Sequence, residues 1–336
     1  MKKFFNLALF LIGLALLVWA ISLVDMAKTL ELLLKLKFGF LAILVIYYLI
    51  TWLDTMSWKF NFPPDIISVV TNQRLWIVRT IGDAYNTITP LGTLGGEPLK
   101  AHLLKVHHDI SLKETISSLI ITRTTFLAAL IVFCTPGIFF IHFSPNIPDK
   151  FKIISLIGMV TFSIMIFLFF IFQITGTLGK IAKWFGSRTR SEGMDKFLGK
   201  LVQLDEMFST FYRRFPERIF VSILYAFVGW ILGLGEVYLI FYFLGYSPSF
   251  IDIWIIEAMG QLVKAGSFFI PYSLGALEGG LVLTFSSLGF PPSLGLATSL
   301  IGRIKLLAWV GLGLIFGWIL GYNSSSSESE PQKTIE

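Results

Sequence analysis

Long apolar runs set the pattern of this chain. Residues 4–24, 38–58, 115–141, 153–173, 219–246 and 293–320 are each dominated by apolar residues, with at most two charged residues apiece. About 20 such residues are needed for a helix to cross the hydrocarbon core of a bilayer, so each run predicts one full transmembrane helix. Two more stretches, 75–105 and 250–290, are apolar at intervals but hold Pro, a Gly cluster and charged residues in the middle. They predict re-entrant elements that enter the membrane, break and return. The expected fold is all-α integral membrane, about six full transmembrane helices plus two Pro/Gly-broken re-entrant elements, in a single domain over residues 1–322. Residues 323–336 are Ser/Glu-rich and predict a disordered tail.

Composition agrees with this pattern. Hydrophobic residues make up 55% of the chain and charged residues 14%, about half of the roughly 25% typical of soluble domains. The run at 4–24 follows Lys2-Lys3, is longer than the apolar core of a signal peptide and lacks a good small-x-small cleavage site. It reads as an uncleaved first span. The single cysteine, Cys134, lies inside an apolar run and reads as a packing residue. The four histidines show no metal-ligand spacing, so no metal and no cofactor are expected.

The net charge of +6 comes from basic residues that flank the apolar runs. They read as topology signals, and no nucleic-acid-binding motif accompanies them. Residues 176–218 carry nine Lys/Arg against five acidic residues, which predicts a cytoplasmic loop. Counting from it puts both termini in the cytoplasm and the 25–37 loop outside, despite Lys28, Lys35 and Lys37. The expected setting is a bacterial inner membrane. Within the basic loop, Phe197, Leu201, Leu204, Phe208 and Phe211 recur at helical spacing. Such a helix lies either on the membrane surface or against the rest of the protein.

The two broken stretches resemble each other. One reads Thr89-Pro90-Leu91-Gly92-Thr93-Leu94-Gly95-Gly96-Glu97. The other reads Pro271-Tyr272-Ser273-Leu274-Gly275-Ala276-Leu277-Glu278-Gly279-Gly280. In each, a glutamate follows the proline by seven residues. An arginine then follows the glutamate, Arg123 after 26 residues and Arg303 after 25. Under the topology above, halves of about 38–142 and 219–320 form an inverted repeat. Proline and glycine strip backbone groups of their intrahelical partners, which hydrocarbon tolerates only where the break lines a wet cavity or is buried in protein. Paired broken helices of this kind mark a central transporter site. Pro90, Gly92, Gly95, Gly96, Pro271, Gly275, Gly279 and Gly280 are the expected hinges.

Charge magnitudes point the same way. A charged side chain near the bilayer centre costs about 2.5–3.5 kcal/mol. Four of them unpaired would cost roughly 10–14 kcal/mol, comparable to the whole stability of a protein. Glu97 with Arg123, and Glu278 with Arg303, are therefore expected to pair. Glu97, Lys100, Arg123, Lys264, Glu278 and Arg303 are the candidate substrate-binding residues. Arg79 and Asp83 add polar groups near the first break, and Glu257 and Gln261 near the second. Glu236, late in its span, reads as an interfacial or packing residue.

Gly95-Gly96-Glu97-Pro98-Leu99-Lys100 followed by Arg123, and the block from Pro271 to Gly280 followed by Arg303, resemble the two signatures of the lysylphosphatidylglycerol synthase transmembrane region, over roughly residues 5–322. The second block is also similar to a hopanoid-associated subgroup. Tyr272-Ser273 depart from the Pro or Gly-rich residues usual there. The resemblance implies a helical, flippase-like lipid translocase with re-entrant elements around a central lipid site. In two-domain relatives a soluble domain attaches lysine to phosphatidylglycerol; this chain is expected to lack that domain and its activity. The expected partners are membrane lipids: an anionic or aminoacylated phospholipid, or a polyprenyl or hopanoid lipid. A separate lipid-synthesis enzyme is a further expected partner. The competing reading is a membrane-embedded lipid-modifying transferase or its accessory subunit, with the glutamates as acid and base. No nucleophile–base pair or phosphate loop accompanies them.

Overall fold

A computed structural model describes residues 25–89, 95–145, 147–177, 179, 192–267 and 270–327. Twelve α-helices occur among the described residues. They are α1 (Met26–Lys35), α2 (Gly39–Phe60), α3 (Pro64–Ile67), α4 (Asn72–Ile88), α5 (Glu97–His108), α6 (Leu112–Phe143), α7 (Asp149–Thr175), α8 (Glu192–Arg214), α9 (Pro216–Leu244), α10 (Phe250–Gly266), α11 (Ala276–Ser287) and α12 (Pro292–Ser327). A 3-10 turn, Pro271–Ser273, separates α10 from α11. Among the described residues no strand occurs.

Five helices, α2, α6, α7, α9 and α12, are long and apolar enough to cross a membrane. They match five of the six expected spans. The sixth, at 4–24, lies outside the described residues, as do Pro90, Gly92 and most of the expected tail. At the near end of that tail the helix runs on past Asn323 to Ser327. The 25–37 segment, expected as a loop, is instead the capped helix α1. The Asp25 side chain accepts from Lys28 N, and Leu32 and Leu36 bury against the rest of the protein. That one-sided apolar face makes a helix of it.

The two halves follow the same order of elements. A span (α2) leads to a 17-residue helix (α4), a break, a 12-residue helix (α5) and a long span (α6). Likewise α9 leads to a 17-residue helix (α10), a break, a 12-residue helix (α11) and a long span (α12). Local chemistry marks the ends. Thr71 caps α4, and Ser111 with Glu114 and Ser249 with Asp252 form capping boxes at α6 and α10. Such caps satisfy amide donors that hydrocarbon could not.

The first spans of the halves run antiparallel. At one end of the pair, Arg218 donates to the carbonyls of Lys59 and Phe60. At the other, Gly39 lies so close to the Phe243 ring that a Cβ would meet it at 2.5 Å. Helix α6 runs parallel to α9: Thr125 meets Ser222, and Phe126 and Phe133 both pack on Trp230. Asn61 ties α2, α6 and α9 together through Thr122, Thr125 and Ser222. Small hydroxyl residues are an effective glue between helices that hydrophobicity alone cannot hold in lipid. Helix α7 stands at the periphery with Ile153, Ile154, Ile157, Met165 and Phe167 exposed.

Helix α8 belongs to the loop read as basic. Its Phe208, Phe211 and Tyr212 bury against Ile121 of α6 and Ile219 of α9. Of the two readings of its apolar stripe, packing on the protein is the one observed. The side chain of Phe197 lies outside the described residues. Cys134 is fully buried beside the Ala258 carbonyl.

Candidate functional site

The site begins with the closeness of α4 and α5. A Cβ on Gly96 would lie 1.8 Å from the carbonyl oxygen of Gly82, so only glycine lets the two backbones meet there. The freed Gly96 amide donates to Asn86 Oδ1 at 2.7 Å, and Asn86 Nδ2 donates to Glu97 Oε1 at 3.1 Å. Asn86 thus replaces the backbone bonds lost at the break.

Six charged side chains then alternate in sign along one path. Asp54 Oδ2 lies 2.9 Å from Arg79 Nη2, which lies 3.4 Å from Asp83 Oδ2. Asp83 Oδ1 accepts from Lys100 Nζ at 2.7 Å, and Lys100 also reaches Glu97 Oε1 at 3.2 Å. Glu97 Oε1 accepts from Arg123 Nη2 at 2.6 Å. Lys100 is buried, whereas Arg123 is half exposed. Six unpaired charges at depth would cost roughly 15–21 kcal/mol; alternation offsets part of that cost by giving each charge an opposite neighbour.

The second hairpin repeats the acid–base pairing with different trim. Glu278 is 1% exposed, and its Oε1 accepts from Arg303 Nε at 3.0 Å and from Ser299 Oγ at 3.0 Å. Its Oε2 accepts the Gly275 amide at 2.7 Å. Arg303 Nη1 continues to the Tyr272 carbonyl at 2.9 Å. Tyr272 (φ 57°) and Ser273 (φ 51°) both adopt left-handed backbone, at a cost of about 1–2 kcal/mol each for residues with a Cβ. The departure from glycine at this position thus produces a strained turn. It also supplies a side chain, because the Tyr272 hydroxyl donates to the Thr87 carbonyl at the end of α4. The two breaks meet through this contact.

Between the halves lies a cavity of about 810 Å³, walled by α2, α4, α6, α9, α10, α11 and α12. Lys264 and Arg303 line it, and Glu278 sits behind Arg303. Glu97, Lys100 and Arg123 do not line it. They lie in the network of the first hairpin, joined to the cavity wall by Asn86 at one end and Asp54 at the other. Of the expected hinges, Gly95, Gly96, Pro271, Gly275, Gly279 and Gly280 fall at the two breaks or in the first turns after them.

Four polar wall residues went unnamed as site residues. Asp54 stands inside an apolar span, and that isolated charge was the signal for it. Lys305, two residues beyond Arg303, forms an ion pair with Glu236, and its Nζ lies 4.2 Å from the centre of the Tyr47 ring. Glu236, read as an interfacial or packing residue, is the counter-ion of a wall lysine. Glu257, the fourth, accepts from Gln261 at 2.6 Å on the same wall. Among the described residues, no group of three or more His, Cys, Asp or Glu is arranged to hold a metal ion. A second cavity, of about 570 Å³, lies where α8 meets α3 and α6, and none of the expected site residues lines it.

The profile of the lysylphosphatidylglycerol synthase TM region family matches residues 6–314. Two similar proteins come from Methanothermobacter thermautotrophicus, and both carry the name UPF0104 membrane protein. One is 25% identical over 301 residues, covering 84% of this chain and 85% of the relative. The other is 26% identical over 296 residues, covering 83% and 82%. No solved structure matches the chain.

Proposed function

Because the chain belongs to the lysylphosphatidylglycerol synthase TM region family, and is a multi-pass membrane protein, we propose that it is a lipid translocase moving a polar-headed lipid between leaflets. The observation that carries this reading is the cavity of about 810 Å³ between two broken hairpins, with Lys264 and Arg303 on its wall. The antiparallel setting of α2 and α9 and the equal lengths of the hairpin helices support an inverted repeat. Such repeats build alternating access by rocking one half against the other around a fixed site.

In this mechanism the headgroup leaves water for the cavity while its acyl or prenyl chains stay in lipid. Lys264 and Arg303 receive the phosphate or other anionic group. Glu278 holds Arg303 in place, as Glu97 holds Lys100 and Arg123. The tie between Tyr272 and Thr87 closes the two breaks on each other, and its release opens one side. Candidate cargoes are an anionic or aminoacylated phospholipid and a polyprenyl or hopanoid lipid. The setting we propose is a bacterial inner membrane, with both termini cytoplasmic and a lipid-synthesis enzyme as supplier or consumer.

Reconstitution with fluorescent, headgroup-labelled lipids tests this. Wild-type protein is expected to carry label across the bilayer, and Glu278→Gln and Arg303→Ala are expected to abolish the movement. Translocation that survives both substitutions would remove these residues from the site. Headgroup transfer by the purified protein alone would favour the transferase reading.

A further inference from the structure

The cavity wall carries a charge pattern that narrows the cargo, and reading it so rests on the translocase function proposed above. The charged residues on the wall are Asp54, Glu236, Glu257, Lys264, Arg303 and Lys305. Four of them have ionic partners: Asp54 with Arg79, Glu236 with Lys305, and Arg303 with Glu278. Two do not. Among the described residues, Lys264 makes no hydrogen bond or ion pair, and Glu257 bonds only to the Gln261 amide. Counting the partners Arg79 and Glu278, the set holds four acids and four bases and is formally neutral. Following the path onward through Asp83, Lys100, Glu97 and Arg123 adds two of each sign and keeps the balance.

A neutral frame of this kind has no surplus charge with which to offset a ligand of net charge. In a poorly solvated cavity a net charge keeps its desolvation cost uncompensated. A ligand bearing one charge of each sign meets the two unmatched residues instead.

The two signs are also separated on the wall. Gly229 and Gly233 lie one turn apart on α9. A Cβ on the first would sit 3.3 Å from Asp54 Oδ1, and on the second 3.4 Å from Glu257 Oε1. Two carboxylates from different helices therefore share one glycine stripe, about 6 Å apart along the axis. Asp54 is 7% exposed, and its Oδ1 is buried without a hydrogen-bond partner. Lys264 stands seven residues beyond Glu257 on α10, about 10 Å along its axis. Trp230 Nε1 is a buried wall donor without a hydrogen-bond partner among the described residues.

We propose that the cavity is a two-pole site for a zwitterionic phospholipid headgroup, with a phosphate at Lys264 and Arg303 and a primary ammonium between Asp54 Oδ1 and Glu257. The primary amine follows from the acceptors. A quaternary ammonium has no N–H and would leave Asp54 Oδ1 unsatisfied. An anionic headgroup would leave Glu257 without a cation and Asp54 Oδ1 without a donor.

Binding separates this inference from transport. The full-length protein in detergent is titrated with phosphatidylethanolamine, phosphatidylcholine and phosphatidylglycerol of identical chains, and bound lipid is read by native mass spectrometry. Phosphatidylethanolamine is expected to bind at least about tenfold more tightly than phosphatidylglycerol, since a hydrogen bond to a charged group is worth a decade or more of affinity. Glu257→Gln is expected to erase that preference; should it prove unstable, Asp54→Asn tests the same pole. Lys264→Gln is expected to weaken both lipids alike. Phosphatidylglycerol binding as tightly as phosphatidylethanolamine, or a preference that survives both carboxylate substitutions, overturns the two-pole site. Equal binding of phosphatidylcholine overturns the primary ammonium. Equal binding of free glycerophosphoethanolamine overturns the assignment to a lipid. Selective binding with no movement in vesicles leaves the site standing and removes the translocase function.

Discussion

Glu278→Gln is the sharpest perturbation of the second hairpin, because it keeps the shape of the side chain and removes its charge. Glu278 is 1% exposed and accepts from Arg303, Ser299 and the Gly275 amide. The amide NH₂ of Gln can replace only one of its two acceptor oxygens, so at least one of these bonds is lost. Arg303, with 23% of its side chain exposed, is then left with the Tyr272 carbonyl and no counter-ion. Breaking one member of a buried pair costs about 3–5 kcal/mol, which is a large share of a stability of about 5–15 kcal/mol. Removing both charges costs less than the sum, because the second substitution no longer strands a charge. Glu278→Gln combined with Arg303→Met should therefore show a coupling of about 1–3 kcal/mol in a double-mutant cycle. Equilibrium unfolding of the purified protein in mixed micelles, followed by circular dichroism, measures all four states. Strict additivity, or a single-mutant cost below about 1 kcal/mol, would mean that the pair does not hold the hairpin.

Gly96→Ala should prevent α4 and α5 from meeting, since the new Cβ would lie 1.8 Å from a backbone carbonyl oxygen with no side chain free to yield; a monodisperse, wild-type elution profile with unchanged melting would contradict this. Tyr272→Phe removes the hydroxyl that joins the two breaks and should lower stability by only about 0.5–1.5 kcal/mol, while raising solvent exchange at Thr87 and Thr89, read by hydrogen–deuterium exchange. Phe211→Ala takes a buried ring from the seat of α8 and should cost about 3–5 kcal/mol, exposing the 176–218 segment to protease before the rest of the chain unfolds. Swapping the first pair, Glu97→Arg with Arg123→Glu, should recover part of the melting temperature lost by either single change. Recovery stays partial because Lys100 and Asn86 also bond Glu97.

The broad architecture was legible because in a membrane the solvent itself constrains the chain. Length and hydropathy alone found every span that the described residues contain, and Pro with Gly located both breaks. The Glu–Arg spacing was informative for a related reason: an unpaired charge at depth is so costly that sequence separation constrains pairing. Less legible was anything decided between helices far apart in sequence. Residues 25–37 read as a loop because ten residues are too few to span and hydropathy says little about a short amphipathic helix, whose partners α9 and α12 lie two hundred residues away. The stripe of Phe208 and Phe211 fits a membrane surface and a protein groove equally well; only the presence of Ile121 and Ile219 opposite it decides.

The same limit explains how the candidate residues divided. Glu97, Lys100, Lys264 and Glu278 stand near a break, and Arg123 and Arg303 follow the glutamates at a repeated spacing; of these, Lys264 and Arg303 are on the cavity wall. Nearness to a break does not distinguish Lys264 from Lys100, which is consumed by Asp83 and Glu97. The discriminating property is the balance of charge around each group, and that depends on Asp54, Glu236 and Glu257, contributed by three different helices. A buried charge whose partner lies within its own hairpin is already neutralised and serves to hold the backbone open. Lys264, by contrast, is an exposed cation on the cavity wall with no ion-pair partner among the described residues, and is available to whatever enters the cavity. For this protein, position relative to the break indicates where the chamber is, and the unmatched charges indicate what it is built to receive.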